Sequence, residues 1–78
     1  MRHSNVTKLS EATALAVHAM VFLASTPDHS WSVKAMAPIL KASEAHLSKV
    51  MQRLSMAGLV SSERGPKGGF VLLRKAED

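Results

Sequence analysis

The stretch Ser43–Gly58, SEAHLSKVMQRLSMAG, decides how this chain folds. Leu47, Val50, Met51, Leu54 and Ala57 recur at the i, i+3, i+4, i+7 spacing that lines one side of an α-helix. Ser43 stands where a side-chain oxygen accepts from the first free amides of such a helix. Gly58 stands where a left-handed residue ends it. The opposite side carries Ala45, Ser48, Lys49, Gln52 and Met56, with Arg53 to one flank. A helix divided in this way buries one stripe and leaves the other face free.

Downstream, Leu59–Glu63 reads as a strand leaving the helix, and Phe70–Leu73 as a second strand. Between them Gly65-Pro66-Lys67-Gly68-Gly69 has the composition of a hairpin tip, placed at residues 64–70 once Arg64 and Phe70 are included. Upstream, Lys41-Ala42 forms a tight turn. A shorter helix precedes it, from about Val33 to Leu40, capped by Ser32, with Val33, Met36, Ala37 and Leu40 inward. Pro38 lies beyond the first turn of that helix, where proline costs ~3 kcal/mol if the helix is regular. Ser25–Ser30, STPDHS, is a turn, and Ala12–Ala24 a helix that is apolar most of the way round, started by Ser10 and Glu11. Such a helix is central to the core, covered by a second subunit, or both. Residues 1–8 are polar and aperiodic, which predicts a loose arm, and residues 76–78 a short acidic tail. The order of elements predicts a mainly α fold with a small antiparallel β-hairpin. That is a winged helix-turn-helix, with residues 1–78 as one domain.

Composition narrows the function. A chain of 78 residues has room for one thin core, which excludes multidomain enzymes, barrels and doubly wound sheets. There are no cysteines, so disulfides, thiolate metal sites and cysteine nucleophiles are excluded, and a reducing, cytoplasmic setting is expected. The longest apolar run, Ala12–Ala24, is too short for a span of ~20 residues, so no membrane partner is expected. Ten Lys and Arg against six Asp and Glu give a formal charge of +4. The excess sits in the second half, where Lys41, Lys49, Arg53, Arg64, Lys67, Arg74 and Lys75 face only Glu44 and Glu63 before the tail. A basic half on a small domain points to a polyanion.

Two places carry that chemistry. At the hairpin tip, Gly65 and Gly68 let the backbone approach another surface closely, while Arg64 and Lys67 reach phosphates or a narrow minor groove. The plain alternative is a glycine-rich hairpin with solvated charges. On the third helix, the short side chains of Ser43 and Ser48, with His46 and Lys49, suit base edges and phosphates, and the helix N-terminus itself favours a phosphate. The alternative there is a solvated face with Ser43 only capping. Tip, helix and charge together favour recognition of double-stranded DNA. The tip is no nucleotide loop, since it lacks the Walker spacing. His3, His18, His29 and His46 lack metal-ligand spacing, and His18, inside the apolar helix, is expected to be a partly buried core histidine. No acid pair or Ser-His-Asp set can be assembled, so an enzyme is not expected. A protein-interaction winged helix, docking through the apolar first helix, is the rival reading.

The segments LSEATALAVHAMVFLAS (residues 9–25), HLSKVMQRLSMAGLVSSERG (residues 46–65) and GPKGGFVLLRKA (residues 65–76) together resemble the bacterial Rrf-type regulators. That family includes the iron–sulfur cluster regulator, the nitric-oxide-sensing repressor and the cysteine-metabolism repressor. The resemblance implies a symmetric dimer on DNA, with the third helix in the major groove and the wing in the minor groove. By position it implies that Ser43, Ala45, His46, Ser48 and Lys49 meet base edges or nearby phosphates. Arg64 is then the minor-groove arginine, with Lys67 and Arg53 on the backbone. Ala45 offers at most contact with a thymine methyl. Family members usually continue into a loop, often with cysteines, and a long dimerisation helix. This chain ends about where that extension begins, so no cofactor is expected within it, an iron–sulfur cluster belonging to longer members. A homodimer is expected to be weakened. Leu15 and His18 stand where the family often has an aromatic and a basic residue, and Pro38 is unusual for it.

Overall fold

In the computed structural model, residues 2–63 and 68–73 are described, with side chains from Glu11 onward. Three helices, α1 (Arg2–Ala24), α2 (Val33–Leu40) and α3 (Glu44–Met56), are followed by strands β1 (Val60–Glu63) and β2 (Gly69–Leu72). The strands pair antiparallel with Val60 opposite Leu72 and Glu63 opposite Gly69. This is the winged helix-turn-helix expected.

The helix-turn-helix is built from local hydrogen bonds. Ser32 Oγ accepts from the Ala35 amide at 3.0 Å, and Ser43 Oγ from the His46 amide at 3.1 Å, so both predicted caps form. Each such cap contributes ~1 kcal/mol. Both helices end alike. After α2 the Ala42 amide donates to Ala37 O and the Lys41 amide to Pro38 O; after α3 the Leu59 amide donates to Leu54 O and the Gly58 amide to Ser55 O. Each end places one residue in the left-handed region, Lys41 at φ 57 and Gly58 at φ 80. Glycine adopts that conformation freely, whereas a lysine there is strained by ~1–2 kcal/mol. Pro38 is accommodated inside α2. Its missing N–H leaves the carbonyl of Lys34 without its helical donor, at a residue that is itself exposed.

The core joins all the elements. Leu15, Ala19 and Leu23 of α1 meet Met36 and Ala37 of α2, Leu47, Val50, Met51 and Leu54 of α3, and Val60 of β1. Val33 and Leu40 pack against it half-buried, whereas Ala57 is exposed at the end of α3.

Three expectations change. Residues 2–8 are helical, not a loose arm, and Ser10 lies inside α1 rather than at its start. No glycine or proline interrupts residues 2–24, and extending a formed helix costs far less than nucleating one. His18 is exposed, because α1 buries the line Leu15, Ala19, Leu23 and His18 lies to one side of it. Gly69, assigned to the hairpin tip, belongs to β2 together with Phe70, so the strand starts one residue earlier than predicted. The Leu73 amide still donates to Leu59 O, continuing the ladder past both strands. Outside both strands, Trp31 bridges Phe70 antiparallel.

Candidate nucleic-acid interface

The expected contact residues on α3 form one exposed sector. Ser43, Ala45, His46, Lys49 and Arg53 are exposed, and Ser48 is half-buried. The fold explains this, because the four buried residues of α3 occupy the side facing α1 and α2 and leave the rest of its circumference free. Ala45 and Lys49 lie opposite the buried stripe. His46 and Arg53 flank it on the α1 side. His46 lines a groove with Glu11, His18, Leu40 and Lys41. Arg53 borders an apolar groove with Thr13, Val17, Met20 and Val50. The cations therefore spread over a sector rather than a point.

Gln52 belongs to the same outer face and was not among the expected contacts. It lines a depression with Met56, Ser62 and Phe70 between α3 and the hairpin. Its signal in the sequence is its spacing from Ser48 and Lys49, and Gln is one of the side chains able to pair bidentately with adenine. Gly68 is half-buried and lines a cleft with His29, Trp31, Ser32 and Ala35, so the structure places it against the start of α2. Arg64, Gly65 and Lys67 lie outside the described residues, as does the tail.

The tip-side end of β2 is held by Trp31. Its amide donates to Phe70 O at 3.0 Å, and the Phe70 amide donates back to Trp31 O at 2.7 Å. A Cβ on Gly69 would overlap the backbone N, C and O of Trp31, so this position admits only glycine. The close approach enabled by a wing glycine is here to the protein's own backbone.

A helix-turn-helix with an exposed polar helix face and a hairpin beside it defines the class: a winged-helix protein of the nucleic-acid-binding type. Within that class the chain belongs to the Rrf2 family, whose model, described as an iron-dependent transcriptional regulator, matches residues 9–78. A helix-turn-helix-type transcriptional regulator, NsrR of Shouchella clausii, is 33% identical over 72 residues, covering 91% of this chain and 48% of its own length. A putative regulator of Aquifex aeolicus is 35% identical over 68 residues, covering 87% of this chain and 47% of its own. The IscR structure from T. potens superposes with a TM-score of 0.77 at 35% identity, over 86% of this chain and 50% of that one. CymR, the global cysteine regulator of B. subtilis, gives 0.73 at 34% identity, over 78% and 48%. The chain thus spans about half the length of these relatives. The family is one of transcriptional regulators rather than enzymes.

The residues present do not fit the iron that the family description implies. The chain has no cysteine, and the described residues hold no group of three or more His, Asp or Glu able to bind a metal. Among the described residues no helix is long and apolar enough to cross a membrane.

Proposed function

We propose that this chain is a sequence-specific DNA-binding unit of an Rrf2-family transcriptional regulator, working in the cytoplasm on double-stranded DNA. In this reading α3 enters the major groove, with Ser43, Ala45, His46, Ser48 and Lys49 toward bases and nearby phosphates. The hairpin enters the minor groove with Arg64, and Arg53 and Lys67 neutralise the backbone, where Gly65 and Gly68 allow close approach. The observation that carries it is the outer face of α3, a mostly polar sector that the fold leaves uncovered while the apolar stripe of the same helix is packed inward. Phosphate contacts then supply affinity and base contacts supply choice. Binding as a homodimer would place two such helices on a two-fold symmetric site.

The test is affinity for a duplex measured against salt concentration. Each phosphate contact contributes about −0.9 to the logarithmic slope, so several contacts predict a steep fall. Lys67→Ala is expected to weaken binding to all duplexes alike, and Lys49→Ala to change which duplex wins a selection from a random pool. Equal losses on selected and random duplexes from Lys49→Ala contradict base reading. The second reading, a protein-interaction winged helix, is favoured by Val17 and Val21, exposed at 51% and 62% on the outside of α1. It predicts a slope near zero and a salt-insensitive protein complex.

A further inference from the structure

The residue that joins the hairpin to the helices is also joined to α1. The Trp31 indole N–H donates to Thr26 Oγ1 at 3.0 Å, and the Thr26 hydroxyl donates to Phe22 O, 3.3 Å away, in the last turn of α1. The Trp31 ring meets Phe22 edge-on, with centroids 4.8 Å apart, and the His29 ring is tilted against it at 4.6 Å. Trp31, through its side chain and its own backbone, thus links α1 to β2, beside the direct approach of Leu72 to Leu23 and Ala24 at the end of α1. A two-stranded ribbon of four-residue strands is marginal in isolation, so its direction depends on what it pairs with along its length. Val60 anchors the end near α3 in the core, and Trp31 pairs with Phe70 at the tip-side end, where β2 begins.

We propose that Trp31 and Thr26 are positioning residues for DNA binding. They dock the hairpin onto the end of α1, and so set the angle at which it meets a duplex relative to α3. Neither residue touches DNA. The inference rests on the DNA-binding reading above and adds a dependence that reading does not contain: wing contacts weaken when a side chain of the α1–α2 turn is altered, while base choice by α3 is kept.

The experiment uses the full chain with two probes, a 30-base-pair pool of random duplexes and the duplex selected from it by the unaltered protein. Thr26→Val keeps the shape of the side chain and removes the acceptor for the indole N–H. At a temperature where circular dichroism shows it fully folded, it is expected to bind about fivefold more weakly, the equivalent of one hydrogen bond. Its salt slope becomes shallower by about one contact, and it selects the same sequence. Thr26→Ser, which keeps the hydroxyl, restores both affinity and slope. Gly69→Ala, which forces Trp31 and β2 apart, gives the same pattern with a larger loss. A role confined to folding would leave affinity and slope of the folded variants unchanged, and that result overturns the inference alone. Loss of sequence preference together with affinity also overturns it, because α3 would then be what moved. Failure of the unaltered chain to bind either probe rejects the DNA-binding reading itself, and this inference with it.

Discussion

Helices α1 and α3 are both built around apolar residues, yet they use them differently. In α3, Leu47, Val50, Met51 and Leu54 are all buried and the outer face is mostly polar. In α1 the buried line is Leu15, Ala19 and Leu23, while Val17 and Val21 remain exposed. The difference shows that periodicity, rather than apolar content, tells which face the core takes. In α1, where most positions are apolar, the inner side is still marked by the i, i+4, i+8 line Leu15, Ala19, Leu23, and Val17 and Val21 only widen the apolar surface. Substitution separates the two cases most sharply at full burial. Met51→Ala removes a side chain with no exposed surface and is expected to cost ~2–5 kcal/mol, whereas Val21→Ala stays within ~0.5 kcal/mol. Thermal melting checks this, since each kcal/mol moves the midpoint by ~4–8 °C in a domain of this size. A large loss at Val21, growing with protein concentration, would mean that a second copy covers the outer face of α1.

The ends of α3 extend the contrast. Gly58 sits at φ 80 with open space where a Cβ would project, so Gly58→Ala meets no clash and only backbone strain. The expected cost is ~1–2 kcal/mol, with Asn at the same position costing less, because Asn tolerates the left-handed region. Melting of the two variants side by side measures it. Equal losses for Ala and Asn would show that the hydrogen bonds from Gly58 and Leu59 to Ser55 and Leu54, rather than the backbone angle, set the end of the helix.

The same contrast accounts for what was legible beforehand. Both caps of the helix-turn-helix, the stop at Gly58, the buried residues of α2 and α3, and the antiparallel hairpin follow from local rules, each readable within a few residues. The start of α1 was not legible: Ser10 and Glu11 form a valid cap signal that a continuing helix overrides, and nothing between Arg2 and Ser10 forbids helix. His18 departs from expectation because its apolar neighbours in sequence suggest burial, whereas the phase of Leu15, Ala19 and Leu23 sets it to one side of the buried line. Gly69 was misassigned to the tip because its reason for being glycine, the backbone of Trp31, lies 38 residues away in sequence. In the candidate interface, the polar sector of α3 was legible from spacing. Gln52 is missing from the expected contacts although it shares that spacing.

Two serines give the smallest effects and opposite signs. Ser43 accepts from the His46 amide at the start of α3, so Ser43→Ala leaves that donor without its partner and is expected to destabilise by ~1 kcal/mol. Ser10 lies within α1, where a cap has no amide to serve, and alanine has the better helix propensity. Ser10→Ala is therefore expected to raise stability by up to ~0.5 kcal/mol, seen as a small rise in melting midpoint and helical ellipticity. A fall similar to that of Ser43→Ala would place the beginning of α1 at Ser10 in solution. The two helices would then obey one rule at their N-termini, and the contrast between them would lie in their faces alone.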